Sequence, residues 1–137
     1  MDVKTNTITA TSGTVPYLTT IVAGNHTILS DEPVDHGGAD KGPNPHDLLI
    51  SALASCTCIT VTMYANRKGW KLEGVNADVT MDRSVENGLQ ATATRIQLSF
   101  KGTLDTEQIQ RLLNIAGKCP VHKTLAPAMS IEISLKP

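Results

Sequence analysis

The sequence predicts an α+β fold: an antiparallel sheet packed on a long buried central helix and a second, amphipathic helix. Three observations predict it. Two stretches of strict apolar and polar alternation are joined through Asn87-Gly88, the eighteen residues from Leu48 to Ala65 carry no charge, and Ile109, Leu112, Leu113 and Ala116 keep an i, i+3, i+4, i+7 rhythm. At 137 residues the chain suits a single domain over 1–137, able to bury a core without disulfide staples.

The first thirty residues hold eight threonines and short apolar alternations, separated by Gly13, Pro16 and Gly24, which predicts short strands in a meander. From Asp31 to Pro45 turn formers stand at nearly every position, so a long loop is expected, mobile or functional. The uncharged run that follows is too long for a strand. Five Ser and Thr residues among Ser51, Ser55, Thr57, Thr60 and Thr62 dilute it as a membrane span. A helix remains, opened by Pro45 and ended by Gly69, with Arg67 and Lys68 complementing its C-terminal dipole. Being apolar on nearly all sides, it must be covered all round, and one sheet covers one side; a symmetric homodimer with helix against helix would cover the other.

Val75, Ala77, Val79 and Met81 then alternate with Asn76, Asp78, Thr80 and Asp82. Thr92, Thr94, Ile96, Leu98 and Phe100 alternate with Ala93, Arg95, Gln97, Ser99 and Lys101. These form an antiparallel hairpin. Asp105 is the expected N-cap of the second helix, Gln108 its capping-box partner, and Gly117 its stop. Cys119-Pro120 opens a further turn with proline at a favoured first position, and Met129, Ile131, Ile133 and Leu135 mark a closing strand.

Composition narrows the function. With 40% hydrophobic and 18% charged residues and net charge -1, the chain is neither a strongly basic nucleic-acid binder nor a charged disordered segment. Its four aromatics, Tyr17, Tyr64, Trp70 and Phe100, are too few for a base-stacking platform or membrane girdles. The N-terminal residues lack a secretory pattern, so a cytoplasmic setting is expected, with no nucleic-acid or membrane partner.

An odd number of cysteines, Cys56, Cys58 and Cys119, argues against a structural disulfide framework. Cys119, at the start of a turn, is placed where a thiolate is favoured, whereas Cys56, amid an apolar helix, reads by itself as a small hydrophobe. Cys58, about 200° round the helix from Cys56, reads as packing. Cys56, Cys58, Cys119 and His122 supply four soft or borderline donors, but Cys56 and Cys58 cannot both face one ion from a continuous helix, so no metal or other cofactor is expected. His122 is equally consistent with an exposed histidine on a turn.

Gly42-Pro43-Asn44-Pro45 followed by Leu48-Leu49, then Ala54-Ser55-Cys56 in a long apolar helix, and later Cys119-Pro120-Val121, resembles the OsmC/Ohr family of thiol-dependent peroxidases. The resemblance spans most of the chain. It implies an OsmC-like fold in an intertwined homodimer with two buried central helices. It also implies an organic hydroperoxide reductase, of a peroxiredoxin-like kind, acting in oxidative stress. Cys56 attacks the peroxide and becomes a sulfenic acid, Cys119 resolves it as a disulfide, and a dithiol reductant resets the pair. Leu49, Leu53, Ile59 and Met63 are candidates for an apolar substrate wall or for plain core.

The sequence departs from the better-characterised peroxidases in one respect. Those carry an arginine in the N-terminal strands, held by a glutamate ten residues before the attacking cysteine. Here the first arginine is Arg67, and the position ten before Cys56 is His46, with Asp47 displaced by one. Asp47, His46 and His122 are the supporting candidates, and Lys41, Lys123, His122, Arg67 or a partner residue are the candidate cations. On a straight helix Asp47 lies about 14 Å from Cys56, so contact would need a partner subunit or a bent helix start. The missing arginine keeps open an alternative: a non-peroxidase binding or redox-sensing module with an apolar ligand cavity at the dimer interface.

Overall fold

The computed structural model describes residues 2–137. The chain divides into two compact units, residues 1–49 and 50–137, with the boundary inside the first helix.

In the first unit β1 (Thr9–Ser12), β2 (Thr19–Ala23) and β3 (His26–Ser30) form an antiparallel meander, as the threonine-rich alternation predicts. Thr19 pairs with Ser30 and Ala23 with His26, so the β2–β3 turn is the two residues Gly24-Asn25, with Gly24 at φ +61. The stretch from Asp31 to Pro45 is more organised than its turn-former composition suggests. Asp31 is buried, and its carboxylate accepts backbone N–H groups from Glu32 (2.8 Å), Ala39 (3.2 Å) and Lys41 (3.1 Å), around a single 3-10 turn at Val34–His36. Burial pushes that carboxyl up, but the three N–H donors and the Lys41 charge outweigh it and hold Asp31 below the usual aspartate value. The Ser30 hydroxyl and the Asp31 N–H both donate to the Pro43 carbonyl, tying the end of the loop to β3.

Helix α1 (Pro45–Lys68) opens at Asn44, whose side-chain oxygen accepts the Asp47 N–H at 2.8 Å, with Pro45 in the first turn, where its missing N–H costs nothing. Gly69 ends it at φ +70. In the second unit β4 (Lys71–Glu86) and β5 (Leu89–Thr103) form the long hairpin, and positive φ at both Asn87 (52) and Gly88 (77) gives the type I′ turn that Asn-Gly favours. Helix α2 (Thr106–Ala116) has the full capping box: Asp105 accepts the Gln108 N–H at 2.7 Å and Gln108 accepts the Asp105 N–H at 2.9 Å. Helix α3 (Pro120–Leu125) follows, and β6 (Ser130–Leu135) closes the sheet.

The second sheet has the order β4-β5-β6, and its last pairing is parallel, Ile96 opposite Ile133. The expectation of antiparallel strands therefore holds for the other three pairings and not for this one. Two helices intervene between β5 and β6, and a helical crossover returns the chain in the direction it left. One face of this sheet joins the helices in the core of Leu53, Val61, Tyr64, Ala65, Ile96, Leu98, Leu112, Ile115, Ala116 and Cys119. The outer face carries exposed ion pairs, Arg95 with Asp82 and Lys136 with Asp78.

Helix α1 is long and apolar enough, by length and composition, to cross a membrane. Its Leu53, Thr57, Val61, Tyr64 and Ala65 face is buried within the protein. Its other side is not, and Ile59 and Met63 are 58% and 66% exposed.

Candidate functional site

Cys56 lies at the middle of α1, half-buried at the margin of the core, with its sulfur 3.9 Å from the Thr60 hydroxyl one helical turn on. Cys119 is the N-cap of α3. Its backbone is extended (φ -59, ψ 134), Pro120 follows, and its sulfur accepts the His122 N–H at 3.4 Å. The side chain is fully buried. Both are free thiols, Cys56 packs against the core that holds Cys119, and the two side chains interact electrostatically, so the middle of α1 and the start of α3 are neighbours.

The surroundings of Cys119 act on its thiol in opposing directions. Burial, foremost, and then the hydrogen bond and charge of Cys56 push the Cys119 thiol up, while the N–H groups of His122 and Val121 pull it down and lose. Cys119 therefore holds its proton more tightly than an ordinary thiol. A cysteine at a helix N-cap, read from sequence as an activatable thiol, keeps a raised thiol here because the cap is buried.

Cys58 points elsewhere, its sulfur 4.0 Å from the Val75 carbonyl, in a shallow recess of about 240 Å³ with Ile59, Thr62 and Met63. Burial raises its thiol too. Among the described residues no three His, Cys, Asp or Glu side chains gather where a metal ion could be held. His46 and Asp47 lie in the exposed first turn of α1, ten and nine residues before Cys56. His122 reaches the pair through its backbone N–H, while its half-buried ring leaves Nδ1 without a hydrogen-bond partner. Of the candidate cations, Arg67 sits 5.3 Å over the Tyr64 ring, and Lys41 and Lys123 are exposed. Of the candidate wall residues, Leu53 is core, Leu49 is at the surface, and Ile59 and Met63 are open. Thr60 was not singled out from the sequence, although its i+4 spacing from Cys56 is the signal that would have found it.

Iodoacetamide is expected to modify Cys56 first and Cys119 last at neutral pH, read by mass spectrometry of the peptides. Cys119 combines full burial with a raised thiol, and its folded form favours the proton. The stability it lends is complete below the ordinary thiol value of about 8.5 and is lost as pH rises through the raised one. Equal labelling of the two at neutral pH would contradict the burial and the raised thiol of Cys119.

A helix-borne thiol beside a second, buried thiol at a Cys-Pro cap defines an α+β protein of the paired-thiol class. The chain belongs to the family of OsmC-like proteins, whose model matches residues 38–134. The OsmC like protein of Mycoplasma pneumoniae shares 24% identity over 99% of this chain and 98% of its own, with a TM-score of 0.84. A protein assigned to osmotic stress induction and detoxification response in Psychrobacter arcticus 273-4 shares 25% identity over 98% of both chains, with a TM-score of 0.81. The organic hydroperoxide resistance protein OhrB of Bacillus subtilis shares 21% over 97% and 98%, with a TM-score of 0.71. These likenesses carry the OsmC-like fold over nearly the whole chain. No curated protein matches the chain in sequence.

Proposed function

We propose that the protein is a thiol-dependent peroxidase for organic hydroperoxides, and the observation that carries this reading is the packing of Cys56 against the core that holds the buried Cys119, close enough for the two thiols to interact. The Cys56 thiolate attacks the distal oxygen of the hydroperoxide, the O–O bond breaks, and the alkoxide takes a proton and leaves as an alcohol. Cys56 is then a sulfenic acid. The Cys119 sulfur attacks it, the S–S bond forms, and the hydroxyl leaves as water with the Cys119 proton. A dithiol reductant exchanges with that disulfide, becomes oxidised itself and restores both thiols.

The family supports a peroxide-related redox role, since solved relatives are organic hydroperoxide resistance proteins. The working form in this proposal is a homodimer in the cytoplasm, a second copy covering the exposed Ile59 and Met63 side of α1. His46 and Asp47 would then serve a site completed across subunits.

Stopped-flow oxidation of the reduced protein by cumene hydroperoxide and by hydrogen peroxide, with thiols counted before and after, tests the reading. Fast loss of two thiols, faster with the organic peroxide, is expected. Slow, unselective oxidation would overturn it in favour of the non-peroxidase binding or sensing module, for which the absence of any arginine before Arg67 speaks.

A further inference from the structure

Tyr64, on the last turns of α1, is 8% exposed, and three cations gather on its ring: Arg67 at 5.3 Å, Arg111 at 5.6 Å and Lys68 at 5.7 Å from the centroid. Arg111 comes from α2, and its Nε donates to the Tyr64 hydroxyl at 2.9 Å. None of the three makes an ion pair among the described residues. The ring face offsets part of their mutual repulsion but supplies no countercharge. The phenol itself feels this field. Its proton is held less tightly than usual, through the Arg111 hydrogen bond first and then the three charges, against the opposing effect of burial.

The cluster opens into a cavity of about 660 Å³, the size of small-ligand sites, between the end of α1 and the outer face of α2. Lys68 and Arg111 line one side with Asn114, and Trp70, packed edge-on to Tyr64 at 5.6 Å, supplies an apolar wall. Because Arg111 is tethered through Nε, its two terminal nitrogens stay free to take both oxygens of one carboxylate. Asp105 and Glu107 line the same cavity. Asp105 is committed to the α2 cap, and the two acids together limit the negative charge the site accepts.

We propose that this cavity is a binding site for a small organic monocarboxylate with an aryl or alkyl body, the carboxylate on Arg111 and Lys68 and the body against Trp70 and Tyr64. A phosphate dianion would be opposed by Asp105 and Glu107, and a neutral ligand would leave the cations unmatched. The site uses neither cysteine, so it stands apart from the peroxidase reading.

Trp70 is the single tryptophan, so its indole N–H gives one identifiable signal in the ¹⁵N-labelled reduced protein. Titration with 3-phenylpropionate is expected to shift that signal saturably, and 3-phenylpropionamide and inorganic phosphate are not. Arg111→Gln should weaken carboxylate binding about tenfold or more, as expected for loss of a charged hydrogen-bonding partner, and Arg111→Lys should weaken it less. Tyr64→Phe, which releases the tether, should fall between the wild type and Arg111→Gln. Cys56→Ser should bind as the wild type does, whatever becomes of the peroxidase reading. Absence of a saturable shift, equal binding of the amide or of phosphate, or wild-type binding by Arg111→Gln would overturn the site.

Discussion

Replacing Cys56 with serine is expected to abolish hydroperoxide reduction, lowering the rate by about a thousandfold or more, because the substituted hydroxyl is neither an adequate nucleophile nor able to carry the oxygen as a sulfenic acid. Cys119→Ser should behave differently. Its first turnover proceeds, the sulfenic acid on Cys56 finds no resolving sulfur, and a dimedone-type probe traps it. Cys58→Ser should be nearly silent, since its sulfur faces Val75 and not the pair. Equal activity of Cys56→Ser and wild type would sink the mechanism, and a Cys119→Ser protein that cycles normally would remove Cys119 from it.

A large loss of stability is expected from Gly38→Ala. A Cβ there would stand 1.9 Å from the Glu32 carbonyl oxygen and 2.9 Å from the Asp31 carboxylate, so the backbone of the clamp must move and its hydrogen bonds with it. A cost of about 2–4 kcal/mol follows, or roughly 10 °C in Tm for a chain of this size. Gly42→Ala meets the Leu29 carbonyl at 2.2 Å and should do comparable damage. Gly13→Ala, with nothing within 4 Å, is the control and should change Tm little. Thermal melts that do not separate Gly38→Ala from Gly13→Ala would show that the loop contributes nothing to cooperative stability.

What could be read in advance was what local chemistry announces. The α2 cap was legible because Asp105 and Gln108 stand at capping-box spacing, the hairpin because Asn-Gly suits a turn with two positive φ values, and the ends of α1 because Pro45 and Gly69 punctuate it. The clamp around Asp31 was not, because its partners are backbone N–H groups, which every residue but proline has. Parallel pairing of β6 escaped for a related reason: alternation reports which face a strand buries and not which way it runs. The meeting of Cys56 with Cys119 came from resemblance, since spacing alone offered no reason to bring residues 56 and 119 together. Tyr64 and Arg111, forty-seven positions apart, had no sequence signal at all.

The parallel strand sets an order of events for the folding chain. β4 and β5 are joined by two residues and can zip locally, on a timescale of about 1–10 μs for a hairpin. β6 reaches β5 across α2 and α3, a non-local closure that pays its loop entropy before its contacts repay it and is slower than the hairpin. Cys119 rides on that late crossover, whereas Cys56 belongs to a helix made early in synthesis. A nascent or partly unfolded chain therefore carries two separate, ordinary thiols. The sulfur pair exists only once α3 has packed against α1, so it waits on tertiary structure and not on either helix alone.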